Sequence, residues 1–105
     1  MQLTGKKLGL LLSVAPNHPN FQHGLRLAEA AVRRGVHVYL YCIDEAVRGL
    51  EDPQLQELKT QGVNLFACAY GAQNRGVAIS DLAAFSGLTV VSDLLASTDR
   101  FIALN

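Results

Sequence analysis

Tryptophan is absent from this 105-residue chain, methionine occurs once, and cysteine occurs only twice, as Cys42 and Cys68. Two cysteines are too few for a disulfide framework and lack zinc-ligand spacing, which makes a reducing cytoplasm the expected compartment. Charge of either sign is not in excess. Nine basic and nine acidic side chains cancel, leaving no electrostatic footprint for nucleic acid or an anionic membrane. The apolar runs, such as Leu8–Leu12 and Val36–Ile43, fall far short of the roughly 20 residues that span a bilayer, so no membrane insertion is expected. The opening "MQLTGKKLGLLLSVAP" sets two lysines before an apolar stretch as a signal peptide does. The run is short, has no convincing cleavage site and passes directly into a plausible first crossover, so it reads as structure. Neither G-x-x-x-x-G-K-[ST] nor G-x-G-x-x-G occurs, which leaves nucleotide binding weakly supported and no cofactor implied.

What is present is apolar material in alternating patterns. Half of the residues are hydrophobic, enough for a sizeable core in one domain spanning residues 1–105. Lys7–Val14 is apolar on both faces, as in a strand buried between helix layers. "APNHPN" carries turn and helix-start signals. From about Asn20 the pattern predicts a helix, with Phe21, Leu25, Ala28 and Val32 on one face and Gly35 as its stop. Val36–Ile43 predicts a second strand. Asp44 to Gly62 reads as two short helical pieces, the second opened by an Asp52 cap and Pro53, with Leu55 and Leu58 as its apolar stripe. Val63–Ala67 predicts the third strand, and Val77–Ala84 a helix after the Cys68 loop. Residues 88–91 suit either a strand or a helix. The helical reading, capped by Thr89 with Val90, Val91, Leu94 and Leu95 as its stripe, is preferred, leaving a short strand near Ala84–Ser86. Asp99–Leu104 closes as a strand. Strands alternating with helices predict a three-layer α/β/α sandwich around an open, mainly parallel five-stranded sheet.

In such a sheet, ligands and chemistry gather beyond the carboxyl ends of the strands. Three segments should converge there: "SVAPNHPN", "CIDE" and "CAYGAQNRG". Cys68 is the best chemical candidate, because a thiolate is favoured by a helix start or a nearby cation, and a following helix and Arg75 are both expected. The competing reading is a buried thiol that only fills space. Cys42, inside the second strand, reads as a core thiol. It could neighbour Cys68 across adjacent strands, and a disulfide would then need Cα atoms within about 7 Å. His18, His23 and His37 match no compact ligand motif, so no metal site is expected. Asp44 and Glu45 read as a helix start rather than as acid–base groups.

The stretch Cys68-Ala69-Tyr70-Gly71-Ala72-Gln73-Asn74-Arg75-Gly76-Val77 resembles the DsrE/DsrF-like family, which includes sulfur-relay subunits of the TusD type. That family carries a cysteine after its third strand, then small residues and Arg-Gly-aliphatic. "LLLSVAPNHPNFQHGLRLAEAAVRRGVHVYLY" and "STDRFIAL" are similar to the family's first strand-helix-strand unit and its closing strand. The resemblance implies a five-stranded parallel sheet, trimers or hexamers of this chain or of related subunits, and a persulfide carried on Cys68 between donor and acceptor proteins. Cys68 is the only position to which that role transfers. Loop amides around Gly71, Asn74 and Gly76, together with Arg75, are the expected stabilisers of an anionic sulfur. There are departures: Gly71 stands where some members have a second cysteine, and the segment between the second and third strands is short. The expected function is therefore that of a sulfurtransferase-like relay subunit. The alternatives are a non-catalytic oligomeric binding module and a small-ligand binder at the same strand edge.

Overall fold

Five parallel strands form one sheet in the order β4-β3-β2-β1-β5, seen in a computed structural model that describes residues 2–105. The strands are β1 (Lys7–Leu12), β2 (His37–Cys42), β3 (Asn64–Cys68), β4 (Ala84–Ser86) and β5 (Arg100–Leu104). Between them lie α1 (Pro19–Arg33), a 3-10 helix (Asp44–Gly49), α2 (Pro53–Thr60), α3 (Ala69–Asn74) and α4 (Thr89–Ser97).

A parallel sheet needs cover on both faces, and the two-residue alternation of the strands divides the core accordingly. Leu10, Leu12, Val38, Leu40, Cys42, Leu65 and Ala67 pack against Phe21, Leu25 and Ala28 of α1 and Leu55 and Leu58 of α2. Leu11, Tyr39, Tyr41, Phe66, Cys68 and Phe101 form the opposite layer with Val90, Val91 and Leu94 of α4. The result is the α/β/α sandwich the sequence predicts.

Local signals explain the helix limits. The Nδ1 atom of His18 accepts the Asn20 N–H at 3.0 Å and caps α1, with Pro19 as the first helical residue. Asp52 caps α2 through the N–H groups of Gln54 (2.8 Å) and Leu55 (3.2 Å). Both helices end on Gly-Val. Gly35 has φ 77°, and Val36 returns its N–H to Ala31 at 3.0 Å. Gly62 and Val63 repeat the arrangement on Leu58. A left-handed residue followed by this bond is the Schellman stop, and glycine adopts it without a Cβ penalty.

Two expectations need correction. The helix expected over Val77–Ala84 does not form; the helix lies earlier, at Ala69–Asn74, and residues 77–83 run irregularly into β4. Side chains of α2 take the carbonyls of that loop: Lys59 Nζ donates to Asp81 O at 2.5 Å and Gln56 Nε2 to Leu82 O at 3.1 Å. Thr89 is not the cap of α4. Leu88 holds that position in helical conformation without a side-chain bond, so Thr89 is already inside the helix. Among the described residues, no helix is long and apolar enough to cross a membrane.

Candidate thiol site at the carboxyl edge of the sheet

Cys68 is the last residue of β3 and the N-cap of α3 at once. No turn separates strand from helix. The strand alternation turns Cys68 toward the α4 layer, and its extended cap conformation lets Sγ accept the Gly71 N–H at 3.3 Å. The side chain is 5 % exposed. Its surroundings are mostly apolar: Tyr41, Leu94 and Phe66 belong to the same cluster. Gly71 packs closely in this corner: a Cβ there would meet the Cys68 Cβ and the Asp44 backbone N at 3.5 Å, ordinary van der Waals contact.

Tyr41 is the residue that sequence reasoning missed. Its ring is fully buried and stacks on Phe66 with centroids 6.3 Å apart. Its hydroxyl lies 3.1 Å from the carbonyls of both Ser86 and Gly87, to which it donates. Ser86 is the register partner of Cys68, so the phenol ties down the strand beside the thiol. Burial raises the Tyr41 phenol above its ordinary value. The Ser86 side-chain hydroxyl, which donates to the phenol oxygen from 3.5 Å, opposes that shift, and the neighbouring Cys68 adds to it. The signal available in sequence was a tyrosine at the position before Cys42 in a strand with apolar residues on both faces.

Arg75 is the C-cap of α3, and its guanidinium is held by carboxylates. Nε donates to Glu45 Oε2 at 2.7 Å and Nη2 to Asp44 Oδ1. Glu45 also accepts from Arg48 at 2.8 Å. Asp44 holds a left-handed φ of 52°, a conformation that costs a non-glycine residue about 1 kcal/mol or more. The segments after β2 and β3 therefore meet, as an ion-pair network. The segment after β1 lies on the same edge but outside the ion-pair network: Pro16 packs on Gly49 of the 3-10 helix, and toward β5 Ser13 Oγ donates to Asn105 Oδ1 and Asn20 Nδ2 to Asn105 O, each at 2.9 Å.

Arg75-Gly76-Val77 is the third helix stop of the Gly-Val type. Gly76 has φ 67°, Gly76 N–H reaches Gln73 O at 3.3 Å, and Val77 N–H reaches Ala72 O at 2.9 Å. Asn74 is the exposed last residue of α3.

Cys42 lies on the other face of the sheet. Its register partner is Ala67, it is fully buried in the α1–α2 layer, and burial pushes its thiol up to about 12. Both cysteines are free. His18 and His23 share Asn20 as a partner, His37 opens β2 on the surface, and no cluster of metal-ligating side chains exists among the described residues.

An open five-stranded parallel sheet of this strand order, covered by helices on both faces, defines a small α/β sandwich protein. The model of the DsrE/DsrF-like family matches residues 6–104, and the chain belongs to that family. Among solved structures it is similar to the ychN protein from E. coli, with a TM-score of 0.80 and 19 % identity over 93 % of this chain and 98 % of that one. No curated protein matches the chain by sequence.

Proposed function

We propose that this chain is a sulfur-relay subunit that carries a persulfide on Cys68 in the cytoplasm. The observation that carries the reading is the position of Cys68: strand end and helix cap together, with the Gly71 N–H on its sulfur. The Cys68 thiolate attacks the outer sulfur of a donor persulfide, R–S–SH. The donor S–S bond breaks, the new S–S bond forms on Cys68, and the donor leaves as a thiolate. An acceptor thiolate then takes the outer sulfur and returns the Cys68 thiolate. No net oxidation occurs in either step, and no cofactor is required.

Large exposed apolar side chains support assembly as a trimer or hexamer, either of this chain or with related subunits. Tyr70 is 72 % exposed and stands two residues after Cys68; Ile79, Leu88 and Leu95 are also exposed. Light scattering at the monomer mass would remove the oligomer from the proposal.

The test is incubation with a low-molecular-weight persulfide followed by alkylation and peptide mapping. The expected result is one added sulfur on Cys68, transferable to a thiol acceptor and absent from Cys68→Ser. Sulfur on neither cysteine favours the second reading, a non-catalytic binding module, which draws on the burial of Cys68.

A further inference from the structure

We infer that a groove at the amino edge of the sheet, opposite the Cys68 edge, binds a single-chain aliphatic anion with a phosphate or carboxylate head. The groove runs between the outer flank of α1 and the starts of β1 and β5, and its volume of about 680 Å³ lies within the usual range for small-ligand sites.

Charge argues for an anion. The chain has nine cations and nine carboxylates, yet the groove is lined by Lys6, Lys7, Arg34 and Arg100 and by a single acid, Asp99. That acid is already engaged, because its Oδ2 accepts the Lys7 backbone N–H at 2.7 Å. Among the described residues, none of the four cations has an ion-pair partner. A neutral protein has thus gathered unpaired positive charge around one cavity. Two of the four are arginines, whose planar fork suits the oxygens of phosphate or carboxylate.

The walls argue for an aliphatic body. Leu8, Leu27 and Val36 are half-buried and line the groove, and no aromatic ring does. A nucleobase would find no stacking partner there, whereas an alkyl chain buries apolar surface against leucine and valine. Leu8 pairs in register with Arg100 on β5, so chain contact and head contact lie side by side. The site shares no residue with the Cys68 edge and is independent of the sulfur-relay reading.

Calorimetric titration of the full chain, below micelle-forming concentrations, tests the inference with decyl phosphate, decanoate, decanol and decyltrimethylammonium. The two anions should bind, decanol roughly tenfold more weakly or worse, and the cationic chain not at all. Arg34→Glu/Arg100→Glu should weaken both anions by at least about tenfold, and Cys68→Ser should leave them unchanged. The side chains of both arginines are exposed, so the fold should survive; Lys6→Gln/Lys7→Gln provides a second variant if it does not. Tighter binding of the phosphate points to a lipid-derived phosphate head, tighter binding of the carboxylate to a free fatty acid. Equal affinity for decanol and the anions, affinity unmoved by the charge variants, or no binding because a second copy of the chain covers the groove would each overturn the inference.

Discussion

Cys42 and Cys68 sit at the ends of adjacent strands but on opposite faces of the sheet. The register pairs Cys42 with Ala67, so the next residue, Cys68, points the other way. The two thiols therefore cannot bridge without a break in the sheet, and they report on different layers. Iodoacetamide near neutral pH should label Cys68 first, through local opening of the β3–α3 corner. Cys42, fully buried in the larger core, should react only as fast as the protein unfolds. Mass mapping of partially alkylated protein checks the order. Equal labelling would remove Cys68 from the relay proposal.

Burial of Cys42 also sets an alkaline limit. Its thiol is pushed from 9.0 to about 12 in the folded protein, so between these values the unfolded chain loses a proton that the folded chain keeps. The unfolded state then binds fewer protons, and stability falls as pH rises. The contribution of this group is complete below about pH 9 and lost progressively toward pH 12. Tyr41, raised from 10.0 chiefly by burial, acts in the same direction. Urea midpoints should decline through this window, and the decline should be shallower in Cys42→Ala, whatever the cost of the cavity in absolute stability.

The layers were legible in sequence because they follow from apolar alternation and strong punctuation. Asp52-Pro53, Gly35 and the Phe21-Leu25-Ala28 stripe each act within a turn or two of themselves, and each lies where its chemistry predicts. Cys68 was legible as a strand-end thiol for the same reason. The helix at Ala69–Asn74 was not, since "AYGAQN" has no apolar stripe and is held by its ends, the Cys68 cap and the Gly76 stop. Residues 77–83 escaped because their partners, Gln56 and Lys59, come from a helix twenty or so residues away. Arg75 read as a free cation beside a thiol. Its two carboxylate partners come from the far side of β3, at a strand end that only the folded register brings near.

Arg75→Ala should therefore act first on architecture. The guanidinium is largely shielded, with 21 % of its side chain exposed, while its partners are about half-exposed, so the loss should be about 1 kcal/mol. Arg75→Lys should recover only part, because one ammonium cannot reproduce the two-carboxylate fork. Gly76→Ala, which forces a side chain into φ 67°, should cost about 1 kcal/mol and Gly76→Asn less. Thermal melts measure all four variants. A changed Cys68 alkylation rate in Arg75→Ala, with an unchanged melt, would return Arg75 to the chemistry of the thiol.

Tyr41→Phe provides the sharpest separation of local from global effects at the site. The substitution keeps the ring, its burial and its stacking on Phe66, and removes only the hydroxyl that donates to Ser86 and Gly87. Loss of one such bond should lower stability by about 1 kcal/mol. The consequence for Cys68 should be larger than that suggests. Ser86 is its neighbour in the sheet, β4 is a three-residue edge strand, and the phenol is the side-chain tie that reaches it from β2. Without that tie the edge should open more often, and Cys68 should alkylate faster by more than the change in global stability accounts for. Cys42 provides the internal reference, since its labelling follows global unfolding alone. If the two rates rise by the same factor in Tyr41→Phe, the phenol is a general stabiliser. If only the Cys68 rate rises, Tyr41 controls access to the thiol.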